Sequence, residues 1–452
     1  MTAQGLTANK WLQHGFVLLM IGAIFGVYAW QVTVGFTAYP GGLTDARFNN
    51  SVLEHLFLWS DGRAEDLWRP DFFYPYPDVL TFSDNHFGSG ALYAAFRHFG
   101  LGREDAYTCW YLLGTLTSFA ATYYALQKFG FSPLAAAMGG IVFAFAGTML
   151  FRTEHSQLLY RFATPLAWLY AWRFLESARL KHLGLTAFFV AWQFLCAIYL
   201  GVFLVLFFMG AVLGLLMFRA TRAQLVSLLP RVLKQRPGLT DWAFLVLGLG
   251  LSLVAAYVLA RYALAAHEYG FVRHPSIILA QQPLPGSYLV LDYSPYYHAM
   301  GQWVKDDFLR HEKQMFVGAG AILLMLAALL PVERGQAWRR PASVLLVALV
   351  FLVLITLRFP GGFSLYWPFA HAPGFSSIRA VGRVIEVMLL PVAFVAAMGF
   401  TKLYVSLNRL VPALGIGVAI LFGAGFFMEV RTLHYHTTPR DQLESRQEAI
   451  RA

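Results

Sequence analysis

Apolar residues run through this chain in long blocks, not in the short alternations or one-sided stripes of a soluble domain. Blocks near the roughly 20 residues a helix needs to cross a bilayer occupy 16–34, 107–126, 132–151, 158–175, 242–262, 315–330, 343–357, 384–400 and 411–427. The block 183–218 is long enough for two crossings divided near 199–201. The pattern predicts an all-α polytopic membrane protein with roughly eleven transmembrane helices. Ser132 and Pro133 read as a helix start, a cap followed by proline at the first helical position. The first block follows Lys10 and is predicted to be a retained helix, because Trp30 and Gln31 stand where a leader would need small residues. Residues 1–428 read as one transmembrane domain with a long first loop at 35–105, and 429–452 as a short tail.

Composition agrees: 58% of the residues are hydrophobic and 13% charged, against about 25% charged in soluble domains. A net charge of +10 invites a nucleic-acid partner, but the basic residues are spread over short loops with no single basic face, which argues against one. Membrane topology accounts for them. With the N-terminus inside, the inner loops hold Lys128, Arg179, Lys181, Arg219, Arg222, Arg231, Lys234, Arg236, Arg334, Arg339, Arg340, Lys402 and Arg409, and few acids beyond Glu176, Asp241 and Glu333. Asp45, Glu54, Asp84, Glu154, Glu268, Asp292 and Asp306 then face outward with every long loop. An odd number of crossings puts the tail outside as well. Cys109 and Cys196 both fall in predicted spans, so neither a disulfide framework nor a thiolate metal site is available.

The outer loops carry the candidate chemistry. From Asp45, the residues Phe48, Val52, Leu53, Leu56 and Trp59 recur at helical spacing and predict an amphipathic helix along the interface; a second is predicted at about 88–99. Asp45, at the first helix start, is a candidate base for activating an acceptor hydroxyl, and equally a plain helix cap. Asp84 and Asn85 read as caps of the second helix. The short loop FRTEHSQLLYRF crowds Arg152, Glu154, His155, Gln157 and Arg161 at one membrane edge, where ionisable groups are costly enough to be functional candidates. Glu154 and His155 are candidate ligands for a divalent metal, or partners of a bound phosphate; a water-facing loop with snorkelling arginines is the bland alternative.

In HAPGFSSIRAVGRVIEVMLLP, a helix starting near Ser377 would set Arg379 and Arg383 one turn apart with Glu386 beside them, a fork for a phosphate or an internal Arg383–Glu386 pair. The outer loop 267–313 offers Tyr288, Tyr293, Tyr296, Tyr297 and Trp303 for stacking on sugar rings, with Asp292, Glu268 and His298 as weaker candidates. Glycine-rich phosphate loops, HExxH and GxSxG patterns are missing from usable places, which leaves an NTPase, a zinc protease or a serine hydrolase unsupported.

TDARFNNSVLEH, FFYPYPDVLTFSDNH, TEHSQLLYRFATPLAW and GFSSIRAVGR together resemble C-type (GT-C) membrane glycosyltransferases. Those closest in pattern are YfhO-like enzymes, protein O-mannosyltransferases and aminoarabinose transferases. The resemblance implies the GT-C fold and transfer of a sugar from a polyprenyl-phosphate donor to a glycan, lipid or protein acceptor. It implies the outer, periplasmic face of a bacterial cytoplasmic membrane. Asp45 would be the catalytic base, with Arg379, Arg383 and Arg161 on the carrier phosphate and Glu154 with His155 as second acidic element. Glu54, Asp84 and His86 would support the acceptor side. A divalent cation, Mg or Mn, is a candidate cofactor, although Thr153-Glu154-His155 replaces a strict DxD. A flippase for a lipid-linked saccharide and a non-catalytic polysaccharide-assembly subunit are the alternatives from other classes.

Overall fold

The computed structural model describes residues 10–271, 273–305, 309–331, 335–372, 375 and 378–451. Asp306, Glu333, Arg334 and Ser377, used above, lie outside the described residues.

A helix covers every predicted apolar block. The chain runs α1 (Lys10–Val32), α2 (Asp45–Ser60), α3 (Phe87–His98), α4 (Arg103–Lys128), α5 (Pro133–Phe145) and the single turn α6 (Gly147–Leu150). It continues through α7 (Ala163–Ser177), α8 (Leu180–Cys196), α9 (Ile198–Met217), the short α10 (Arg219–Val226) and α11 (Leu228–Lys234), and α12 (Leu239–Glu268). After the short α13 (Pro275–Ala280) and α14 (His298–Gln302) come α15 (Ala319–Ala327), α16 (Arg339–Thr356), α17 (Trp367–Ala370), α18 (Ile385–Leu410), α19 (Pro412–Thr432) and α20 (Arg440–Arg451).

Among the described residues, seven helices are long and apolar enough to cross a membrane, and the chain is an integral membrane protein. The roughly eleven predicted crossings exceed those seven for local reasons. α4 has 26 residues, about 39 Å of rise, but is too polar to count on composition. α7 waits until Ala163 because 152–162 is irregular and charged. α15 is cut to nine residues because Met315 and Phe316 donate their amides to Ser287 and Val290. The predicted 183–218 division falls at Ala197, whose extended backbone ends α8 and starts α9.

The core lies around α5 and α18, both buried almost throughout. α18 packs on α5, α9, α15, α16 and α19. Small residues set the spacing: a methyl at Gly399 would strike the Leu324 carbonyl, and one at Gly139 the Ala393 carbonyl, the close backbone approach that membrane helices use when lipid supplies no hydrophobic drive. α12 stands nearly free and holds to α8 at Gly184 and Gly248.

Two short strands, β1 (Ala38–Pro40) and β2 (Thr437–Pro439), pair antiparallel with Tyr39 opposite Thr438. Arg440 reaches Asp105 at 2.8 Å and covers the Tyr39 ring. The first loop and the tail therefore share one side of the bundle, as an odd number of crossings requires.

Candidate functional site

The site is built at the start of α2. The first turn of a helix presents unsatisfied amides and a partial positive charge, which draw an anion. Thr44 occupies the N-cap without a capping side-chain bond, and Asp45 is the first helical residue. The anion comes from a different loop: Glu154 accepts from the amide of Gly42 through Oε1, and through Oε2 from the amide of Ala46 and the hydroxyl of Thr44, both at 3.2 Å. The approach needs the turn at Gly41, whose φ of +77° and contact with Ala46 leave no room for a side chain. Both Glu154 oxygens thus accept bonds at the start of α2. Asp45 does not cap its helix; its side chain is 62% exposed, and its ion contact is His155, whose Nδ1 lies 3.6 Å from Oδ2.

His155 links Asp45 to a buried cation. Arg383 Nη2 stands 3.0 Å from His155 Nε2, and the same guanidinium grips Glu312 at 2.6 and 3.1 Å. Arg152 adds a 3.0 Å bond to Glu312. Burial would raise the Glu312 carboxyl, but the charge and bonds of Arg383 and the charge of Arg152 outweigh burial and hold it far below the usual range. Burial, helped by the Arg383 and Arg152 charges, lowers His155, so the ring is neutral near pH 7.

Asp45, His155 and Arg383 line one cavity of about 1530 Å³, with Asn49, Gln157, Asp84, Arg273 and Arg379. Its other wall is apolar, made by Ile198, Val202 and Val205 of α9 and Leu259, Ala260 and Ala263 of α12, helices apolar enough to lie in lipid.

The predicted helix from about 377 is not the observed arrangement. Arg383 sits in a 3₁₀ turn (Val381–Val384) that leads into α18, and Arg379 precedes it in irregular chain. The Arg379 amide donates to the Tyr199 hydroxyl at 3.3 Å, and its exposed guanidinium has no ion-pair partner among the described residues. The alternative Arg383–Glu386 pair does not form. Glu386 instead lies 3.2 Å from Arg161 and 3.5 Å from Arg152. Arg161 is 1% exposed, bonds to the carbonyls of Phe143 and Glu386, and does not line the cavity; its guanidinium is turned into the bundle by Glu386.

The remaining candidates divide. Asp84 does line the cavity, but it caps α9, accepting from the Ile198 amide at 2.8 Å, and not the second amphipathic helix. Burial lifts it from 3.8 to about 6, against the Ile198 bond and the Arg383 charge. Asn85 Oδ1 accepts from the Phe87 amide just before that second helix, whose N-cap position is His86. His86 is fully buried and holds Asn49 Oδ1 at 2.9 Å, and burial drops it to about 3. It steadies a lining residue without reaching the cavity. Glu54 braces α2 against α3 through Arg97 and Tyr93, away from the cavity.

The tyrosine-rich loop is spent elsewhere: Tyr293 stacks on Phe151, Tyr297 donates to Glu429, and Asp292 pairs with Arg310. None of Tyr288, Tyr296, Trp303, Glu268 or His298 lines the cavity either. Sequence reasoning missed Glu312, Asn49, Tyr199 and Arg273. For Glu312 the one available signal was a carboxylate at the foot of the apolar block 315–330.

No protein-family model matches the chain, and no curated protein does. Among solved structures, the mycobacterial arabinofuranosyltransferase AftD (mutant R1389S) aligns at 14% identity and a TM-score of 0.47, over 91% of this chain and 28% of that one. The oligosaccharyltransferase AglB of Archaeoglobus fulgidus, solved with an inhibitory peptide and a dolichol-phosphate, aligns at 13% and 0.46, over 94% of this chain and 57% of that one. The chain thus spans well under two thirds of either protein.

Proposed function

We propose that the chain is a membrane glycosyltransferase of the GT-C kind, which moves a sugar from a polyprenyl-phosphate donor to an acceptor hydroxyl in the cavity beside α2. The observation that carries this reading is that Asp45 and the cations Arg379 and Arg383 share one cavity with an apolar wall of candidate membrane helices. An isoprenoid tail fits that wall and a phosphate fits the cations. The formal charge supports an anion: Arg152, Arg161, Arg273, Arg379 and Arg383 stand in and behind the cavity against Asp45, Asp84, Glu312 and Glu386, a surplus of one positive charge.

In this reaction the acceptor oxygen forms a bond to the anomeric carbon as the bond from that carbon to the phosphate oxygen breaks. Asp45 takes the acceptor proton, and the departing phosphate keeps the electron pair. Arg379 and Arg383 oppose its growing charge, which is worth more in a site shielded from water than in bulk. Arg161 is left out of the step because it does not line the cavity. Sugar transfer is assigned to the side of the membrane carrying residues 35–105 and the tail, the outer face by charge bias.

The test is transfer in nanodiscs supplied with a panel of polyprenyl-phosphate sugars, read by release of polyprenyl phosphate. Asp45→Asn should lower kcat by about 10²–10⁴-fold with the melting temperature unchanged. Full activity in that variant overturns the assignment of the base.

A further inference from the structure

His155 stands between the acid and the cation of the cavity, and its two ring nitrogens meet different groups. Nδ1 faces Asp45 Oδ2 at 3.6 Å. Nε2 faces Arg383 Nη2 at 3.0 Å and Glu312 Oε1 at 3.4 Å. A guanidinium nitrogen has only hydrogens to offer, so the 3.0 Å approach requires a bare lone pair on Nε2. A hydrogen there would point at another donor, and Glu312 at 3.4 Å is too far to compensate. The ring's single proton then belongs on Nδ1, aimed at Asp45.

Arg383 cannot easily turn away. Glu312 binds it through Nη2 at 2.6 Å and Nε at 3.1 Å, a two-point grip that fixes the guanidinium plane. Arg152 holds Glu312 from behind, through Nη1 on the carboxylate and Nη2 on the backbone carbonyl at 3.1 Å. Glu312 and Arg383 are buried, so water cannot readily replace either partner.

We propose that His155 is a positioning residue: the Glu312–Arg383 pair locks it in the Nδ1–H tautomer, and that N–H orients the Asp45 carboxylate. The 3.6 Å separation closes to a hydrogen bond when a substrate shields the cavity, as such contacts often tighten only in the occupied site. Asp45 then presents its other oxygen to the acceptor. Glu312 never meets substrate and acts through two residues that do line the cavity. The tautomer follows from the contacts alone, whereas its use by Asp45 rests on the transferase reading.

The experiment has two separable arms. The first is ¹⁵N NMR of histidine-labelled protein in nanodiscs at pH 7.5, with the His155 signal identified among the 13 histidines by its loss in His155→Asn. A protonated Nδ1 and a bare Nε2 are expected, with both signals shifting in Glu312→Gln and in Arg383→Lys; the second variant serves if the first does not fold. A protonated Nε2 in the wild type, or no change in the variant that folds, overturns the lock. The second arm is transfer kinetics. Asparagine can present an N–H where Nδ1 stood and glutamine cannot, so His155→Asn should keep most of its kcat, while His155→Gln loses on the order of 10²-fold at unchanged KM for the donor. Equal losses in the two variants overturn the orienting role. A wild type that shows the lock but no transfer refutes the transferase reading and with it the use of the lock by Asp45, and leaves the tautomer standing.

Discussion

The buried ion network has two ends built from the same groups and suited to different work. At the deep end, Arg161 and Arg152 close on Glu386, which is 0% exposed, and Arg161 also donates to the backbone carbonyls of Glu386 and Phe143. At the other end, Arg383 and Glu312 meet His155, and beyond it Asp45 stands 62% exposed in a cavity with an uncommitted Arg379. Arg161, Arg152 and Glu386 do not line the cavity, and their charges fix helices against one another. The open end keeps an acid and a cation unspent. An arginine at membrane depth is thus not by itself a phosphate site; Arg383 differs from Arg161 in lining the cavity.

Breaking the deep end should cost the most. Glu386→Ala leaves Arg161 without its carboxylate and Arg152 with Glu312 alone, and loss of one partner from a buried pair destabilises by about 3–5 kcal/mol. Thermal unfolding in detergent should drop steeply, whereas Asp45→Asn at the open end should stay within about 0.5 kcal/mol of wild type.

Asp84 sharpens the comparison through pH. Its folded value of about 6 lies above the ordinary 3.8, so between those values the folded protein binds the extra proton. Its stabilising contribution is therefore full below about 3.8 and is lost as pH rises through about 6. Asp84→Asn keeps an acceptor for the Ile198 amide and cannot ionise. It should raise the melting temperature at pH 7.5 relative to wild type and change it less at pH 4.5; equal shifts at both values contradict the assignment.

The smallest effect belongs to Glu154. Glu154→Gln keeps one acceptor oxygen for the start of α2 but loses the charge and the second acceptor, a loss of about 1 kcal/mol. Amide exchange should quicken first at whichever of Gly42 and Ala46 faces the new amide nitrogen, because that one loses its acceptor.

Much of the fold was legible because hydropathy is local: a run of apolar residues declares a span without reference to its neighbours. The amphipathic α2 and Asp45 at its start were legible for the same reason. The site was legible only in part, since its partners come from afar. Glu154 and His155 are adjacent in sequence yet face different tasks, and nothing local says that Glu154 caps a helix more than a hundred residues earlier. The Arg383–Glu386 pair was the alternative that helical spacing offered to a phosphate fork. It failed because Arg383 lies in a 3₁₀ turn, and because Glu312, 71 residues away, competes for its guanidinium.

The most direct measurement is a cryo-EM map of the protein in nanodiscs containing undecaprenyl phosphate. The account predicts headgroup density against Arg379 and Arg383, within reach of Asp45, with the isoprenoid along the α9–α12 wall. Lipid phosphate bound only outside the cavity, or an α9–α12 wall closed to the chain, contradicts it.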